Sequence, residues 1–163
     1  MAKQTREKHR TKFRASVALN IEAPEAMKQA VAEVLDGFYE VSFSGSRLTI
    51  LDIGAHVGAF SLWSNMRWPE SEIYAYEPHP DTYASLVRNV GELHNVHSVR
   101  AAVYPSDAEV MPFFSRFAGD GEASLLPVAQ RMFRRAAQRK LMEVPVLHPA
   151  ILPEADIVKI DTE

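Results

Sequence analysis

The sequence contains no cysteine, so neither a disulfide framework nor a thiolate metal site is available to it. No apolar run approaches the roughly 20 residues that a membrane-spanning helix needs. The formal net charge is only -3 at pH 7, which excludes a strong overall attraction to nucleic acid or to anionic membranes. We therefore predict a cytoplasmic protein, whose 163 residues suffice for one domain with a sizeable core.

Basic residues crowd the start of the chain, so we assign residues 1–22 to a basic N-terminal arm and residues 23–163 to the domain. The basic side chains of the arm are Lys3, Arg6, Lys8, Arg10, Lys12 and Arg14. They either touch phosphate or an acidic partner, or they are solvated at an untethered chain end. No apolar core follows them, so the arm does not have the pattern of a secretory signal.

The central feature of the domain is a strand, a glycine turn and a helix. Residues 48–53 are nearly all apolar, as in a parallel strand that is buried on both faces. Gly54, Ala55 and Gly58 then form a turn that lets backbone approach a ligand, with Gly58 allowing the next helix to pack on the sheet. The helix of residues 57–66 points its N–H groups at the ligand, where they suit a carboxylate. His56 lies in the turn, and we expect its backbone to contact the ligand.

Two carboxylates indicate what the ligand is. Glu77 ends the second strand about 20 residues after Gly58, where an acid accepts hydrogen bonds from the hydroxyls of an adenosine ribose. That position fits NAD equally well. Asp52, however, precedes the turn, where it would repel a pyrophosphate and suit a ligand with a positive amino group. S-adenosylmethionine, with an ammonium, a sulfonium and an adenosine, satisfies both acids.

Three motifs, at residues 52–58, 76–80 and 156–163, resemble the FkbM-type family of S-adenosylmethionine-dependent methyltransferases over roughly residues 45–163. The resemblance implies an α/β fold, a Rossmann-like class I methyltransferase sheet with strand order 3-2-1-4 and helices on both faces. The family's last motif normally continues with Gly-x-Glu and further strands, whereas this chain stops at Glu163. We expect the fourth strand to be an apolar edge that more chain, a second copy in a homo-oligomer or another protein covers.

The remaining elements follow from periodicity and from turn residues. Before the central strand we predict a helix from Pro24 and a short strand at 39–43. After the second strand come a helix from Pro80 and a third strand at 97–103. An inserted hairpin and helix region precedes the fourth strand at 156–160; its elements are a strand at 110–117, a loop at 119–124, a helix at 127–141 and a strand at 143–147. The apolar face of the first helix comprises Met27, Ala30, Val31, Val34, Leu35 and Phe38.

Asp161 follows the fourth strand at the sheet's switch point, and we predict it to be catalytic, beside the transferred methyl or the acceptor hydroxyl. Its alternative is a carboxylate that caps a turn. The methyltransferase resemblance adds Pro78 and Ser124 to the cofactor site and places Ala101 and Ala102 at the adenine, although small residues there are also explained by tight packing.

Neighbouring charges leave further choices open. Lys159 either pairs with an acid near the site or faces outward. Asp161 and Glu163 alone do not make the carboxylate cluster of a metal-dependent enzyme, so we expect no metal.

We predict methylation of oxygen on a small molecule or sugar, with orientation supplying much of the rate. The alternatives are a non-catalytic module that binds an adenosyl ligand, an NAD-dependent oxidoreductase, and an RNA methyltransferase that uses the arm and the basic face of the 127–141 helix. Aromatic residues for base stacking are not interleaved with those basic residues, so a nucleic-acid partner is not favoured.

Overall fold

A computed structural model of the chain describes residues 21–23, 25, 28–37, 39, 43–115, 125 and 140–162. The helices are α1 (Lys28–Leu35), α2 (Ala59–Arg67) and α3 (Pro80–Val90), with a 3-10 turn at Pro149–Ile151. The strands are β1 (Thr49–Ile53), β2 (Glu72–Tyr76), β3 (Val96–Val99), β4 (Ala102–Val103), β5 (Val110–Ser115), β6 (Lys140–Leu147) and β7 (Ile157–Ile160).

Four parallel strands form the main sheet in the order β3-β2-β1-β7. This Rossmann-like α/β order confirms the predicted 3-2-1-4, since β7 is the fourth parallel strand of the chain. β1 lies at the centre, and its register sets Asp52 opposite Ala75 of β2 and Lys159 of β7. The connection reverses direction across the sheet between β1 and β7, so the carboxyl ends of these two strands border the crevice where such sheets bind ligands.

The three helices cover one face of the main sheet. Ile50 and Ile73 pack with Phe60 and Trp63 of α2 on that face. The opposite face carries Leu51, Ile53 and Tyr76, whose packed neighbours Val99, Val103, Leu147, Leu152 and Ala155 belong to strands and to the segment before β7. Helices on both faces were predicted, but within the described residues the second face is covered by other elements. Because side chains alternate along β1, Asp52 shares the face of Ile50 and points at α2.

A smaller sheet, β4-β6-β5, forms the inserted region, with β5 antiparallel and β4 parallel to β6. Its buried core contains Ala102, Phe113, Val144 and Val146. The predicted third strand at 97–103 is therefore wrong in one respect. It divides into β3 and β4, which belong to different sheets, because the chain turns at residues 99–101, where the Ala101 N–H donates to the Val99 carbonyl at 3.1 Å.

The predicted helix at 127–141 overlaps the start of β6, because residues 140 and 141 pair with β5 as strand. Residues 126–139, and with them most of that helix, lie outside the described part of the chain. The predicted strand at 143–147 is correct but begins earlier, at Lys140. The strand predicted at 110–117 is observed as 110–115, and the loop at 119–124 is outside the described residues.

The N-terminal elements dock on α2 and α3. The Asn89 side chain accepts from the Glu22 N–H at 2.8 Å and donates to the carbonyls of Glu22 and Val57. Residues 21 and 22, which were assigned to the arm, are thus held on the domain, while residues 1–20 are not described.

Of the first predicted helix, Val31 is buried and Val34 and Leu35 pack against the core, as expected, whereas residues 24, 27 and 38 lie outside the described part. The strand predicted at 39–43 has Tyr39 in a bend and Phe43 outside any strand, and its middle is not described.

β7 is an edge strand of the main sheet, as predicted. Its outward residues Val158 and Ile160 are 49% and 68% exposed. No helix in the described part of the chain combines the length and the apolar character needed to cross a membrane.

Candidate cofactor site

The turn after β1 is fixed to the end of β2. The N–H groups of Gly54 and Ala55 both donate to the Tyr76 carbonyl, at 3.0 and 2.9 Å, and the Gly58 N–H donates to the Ala55 carbonyl at 2.8 Å. Gly54, His56 and Gly58 have positive φ values of 75°, 53° and 89°. Glycine adopts this left-handed backbone without cost, whereas a histidine there is uncommon. The turn therefore has a specific conformation that the sequence has to support.

Both glycines make room for the protein itself. A Cβ atom on Gly54 would lie 2.3 Å from the carbonyl oxygen of Asp161, at the end of β7. A Cβ atom on Gly58 would lie 2.7 Å from Leu86 and 3.0 Å from Val90, both on α3. The sequence interpretation had Gly54 admit a ligand and Gly58 admit the sheet. In the structure the close neighbours are the last strand and a helix.

Glu77 joins the two loops that border the crevice. Its Oε2 accepts from the His56 N–H and its Oε1 accepts from the His79 N–H, each at 2.9 Å. The side chain is buried, and this burial raises its pKa to about 7, although the two N–H groups and Lys159 act in the opposite direction. A carboxylate has about four lone-pair sites, so both oxygens retain acceptor capacity for the hydroxyls of a ribose.

Asp52 has protein partners for both of its oxygens. It is fully buried; its Oδ2 accepts from the Ser61 hydroxyl at 2.6 Å, and its Oδ1 lies 3.1 Å from the Lys159 ammonium, an ion pair without hydrogen-bond geometry. The positive group beside Asp52 is thus Lys159, where a ligand's ammonium was expected. Because Lys159 balances this charge, Asp52 no longer provides an electrostatic argument against a pyrophosphate.

Asp161 is the exposed acid of the site, with 65% of its side chain accessible. Its Oδ2 accepts from the Tyr39 hydroxyl at 3.1 Å and lies 3.9 Å from the Lys159 ammonium. The Tyr39 ring packs edge-on against Phe60, with centroids 5.1 Å apart. Burial, followed by the charge of Asp161, raises the pKa of Tyr39 to about 12, so the phenol stays protonated and donates to the carboxylate.

Sequence reasoning missed Ser61 and Tyr39 and left Lys159 undecided. The available signal for Lys159 was its position in a strand whose alternate residues face one side, which places it beside Asp52 once the parallel register is known. Tyr39 had no local signal, because it reaches Asp161 across 122 positions of sequence.

The other predicted site residues are divided. Pro78 lies between Glu77 and His79 and is half-buried. Ala101 is buried, and Ala102 packs in the core of the smaller sheet, which corrects its assignment to the adenine edge. Ser124 and Glu163 lie outside the described residues. In the part of the chain that is described, no group of three or more histidines and acids could hold a metal ion.

Comparison with models of known protein families gives no match. Among curated proteins, the chain is similar to Methyltransferase 1 of Beauveria bassiana, with 39% identity over 67 residues that make up 41% of this chain and 26% of that protein. It is also similar to Methyltransferase sdnD of Sordaria araneosa, with 30% identity over 109 residues, or 64% of this chain and 41% of that protein. The chain therefore spans less than half the length of either relative.

Two solved structures resemble parts of the fold. M. jannaschii TYW2 in complex with AdoMet is 21% identical and matches 56% of this chain and 39% of its own, with a TM-score of 0.38. Coclaurine N-methyltransferase bound to N-methylheliamine and SAH is 18% identical and matches 50% of this chain and 24% of its own, also with a TM-score of 0.38. At these TM-scores neither likeness bears on function.

Proposed function

We propose that this chain carries the S-adenosylmethionine-binding part of a methyltransferase of the FkbM type that its motifs resemble. The carrying observation is Glu77, a buried carboxylate at the end of β2 whose two oxygens are oriented by the N–H groups of His56 and His79. An acid held in this way beside the switch point is suited to the two hydroxyls of a ribose. The two curated relatives, both named methyltransferases, support the same reaction class.

The residues divide between direct and indirect roles in this proposal. Glu77 accepts the ribose hydroxyls, and the start of α2 behind Gly58 offers N–H groups to a carboxylate. Asp52 supports the site through Ser61 and Lys159 instead of contacting the ligand. The further proposed cofactor contacts, by backbone or by small side chains, are Gly54, Ala55, His56, Pro78, Ala101 and Ser124.

When bound, S-adenosylmethionine supplies a methyl group on a sulfonium, which is open to in-line displacement by a nucleophile. The task of the chain is to hold and align the reacting groups, because orientation accounts for much of such a rate. Asp161 is exposed at the same edge of the sheet and is our candidate to take the proton of an acceptor hydroxyl. The Tyr39 hydroxyl fixes the direction of that carboxylate. We propose that the acceptor is a hydroxyl of a small molecule or a sugar.

Calorimetric titration with S-adenosylmethionine and S-adenosylhomocysteine tests the cofactor assignment. We expect binding to the unaltered chain, its loss in Glu77→Ala, and its retention in Glu72→Ala, which removes an exposed acid at the opposite end of the same strand. Competition by NADH identifies a dinucleotide site instead. A folded chain that gives no heat with either adenosyl ligand contradicts the proposal.

Transfer of labelled methyl groups to hydroxyl compounds tests the reaction itself. Transfer that is lost in Asp161→Asn, while the affinity for S-adenosylhomocysteine is unchanged, supports the role of Asp161. Cofactor binding with no transfer to any acceptor points to the non-catalytic module.

A further inference from the structure

Lys159 places a buried charge at the centre of the site, on a strand whose neighbouring residues Val158 and Ile160 face outward. Only 8% of its side chain is exposed. Its ammonium donates to the Gly54 carbonyl at 2.6 Å and lies 3.1 Å from Asp52 and 3.9 Å from Asp161. One side chain thus connects the central strand, the glycine turn and the end of the last strand.

The position of the Lys159 ammonium is determined by its partners. A buried ammonium is strongly destabilising unless an opposite charge and hydrogen-bond acceptors compensate it. Asp52 supplies the charge, and the Gly54 carbonyl supplies the acceptor. The other oxygen of Asp52 is held by Ser61, so the carboxylate cannot turn away without losing that hydrogen bond. Few alternative positions remain for either group.

This contact controls the direction of the first peptide group of the turn. The carbonyl of Gly54 points at Lys159, while the N–H groups of Gly54 and Ala55 point at the Tyr76 carbonyl. The chain then passes through the left-handed backbone of His56, whose N–H reaches Glu77. Fixing the Gly54 carbonyl therefore fixes the group that orients Glu77.

We infer that Lys159 is a positioning residue: it neutralises Asp52 and holds the Gly54 carbonyl, so that the turn and Glu77 are already arranged before a ligand binds. The identity of the ligand in this inference rests on the proposed function, whereas the effect on the turn does not. If the arranged turn falls to about one tenth of the molecules, the apparent affinity falls about tenfold.

The test compares Asp52→Asn/Lys159→Met with the unaltered chain, since Lys159→Met alone leaves a buried carboxylate without its counter-charge. Lys159→Arg restores a cation and a donor, and Lys28→Met removes an exposed lysine of α1 as a control. Calorimetry with S-adenosylhomocysteine measures affinity, and NMR hydrogen exchange of the His56 N–H measures the turn. Urea unfolding corrects both readouts for global stability.

We expect the double variant to bind S-adenosylhomocysteine about tenfold more weakly and to exchange the His56 N–H about tenfold faster than global stability explains. Lys159→Arg should recover part of both effects, and Lys28→Met should show neither. Unchanged affinity together with unchanged exchange overturns the inference. If the unaltered chain binds no adenosyl ligand, the proposed function fails, and the exchange data alone decide the role of Lys159.

If the double variant does not fold, the decisive measurement is made on the unaltered chain. A Lys159 ammonium held by Gly54 and Asp52 exchanges its protons slowly enough to be observed by NMR, unlike that of the exposed Lys28. Equal exchange at the two lysines overturns the inference.

Discussion

Glu77→Gln should change how the stability of this protein depends on pH. Burial raises the pKa of Glu77 from its usual value of 4.5 to about 7 in the folded state. In this interval the folded chain keeps a proton that the unfolded chain has released, so stability falls as pH rises. The contribution of the protonated acid is complete below pH 4.5 and is lost above pH 7. At about 1.4 kcal/mol for each pKa unit, the loss is about 3 kcal/mol.

The glutamine variant has no such proton to release. It also has one carbonyl oxygen in place of two acceptors, so one of the N–H groups of His56 and His79 loses its partner at every pH, at a cost of about 1–3 kcal/mol. We therefore expect Glu77→Gln to be the less stable protein at pH 4.5 and to approach or exceed the unaltered chain at pH 8.

Urea unfolding at half-unit steps from pH 4.5 to 8 measures this difference. Glu92→Gln, a change at an exposed glutamate after α3, is the matched control and should run parallel to the unaltered chain. Parallel stability curves for Glu77→Gln and the unaltered chain would show that Glu77 is ionised throughout this range and would refute the reasoning.

Three further comparisons use urea unfolding at constant pH. Ser61→Ala removes the hydrogen bond to buried Asp52 and should cost about 1.5–3 kcal/mol, whereas Ser64→Ala, on the same helix, removes a buried hydroxyl for which the described residues offer no hydrogen-bond partner and should be neutral or stabilising; equal losses would contradict this account. His56→Val should be less stable than His56→Asn by about 1–3 kcal/mol, because a β-branched residue resists positive φ, and equal stability of the two would remove the strain argument. Gly58→Ala should cost about 1–3 kcal/mol more than Gly37→Ala, since both have positive φ but only Gly58 lacks space for a Cβ; a larger loss at Gly37 would be the opposite result.

Local patterns were sufficient to predict the strand, turn and helix around residues 48–67 and the strand order of the main sheet. An apolar run that ends in glycine, followed by helical periodicity, limits the chain to a parallel strand and a crossover. The same spacing placed Glu77 at the carboxyl edge, where the structure has it. These features depend on residues close in sequence and on general rules of handedness and packing.

The partners of the charged groups were decided by the tertiary structure. Asp52 alone indicated a site for a positive ligand, yet the parallel register of β1 and β7 brings Lys159 to it from 107 positions away. The chain turn at residues 99–101 likewise moved Ala102 from the predicted site into the core of the smaller sheet.

The sequence by itself therefore determined which backbone elements form and which edge of the sheet carries the site. Only the tertiary structure decided which charges that site presents to a ligand. The physical reason is that hydrophobic periodicity is a local property of the chain, whereas the partner of a buried charge is whichever group the register and packing bring within a few ångströms of it.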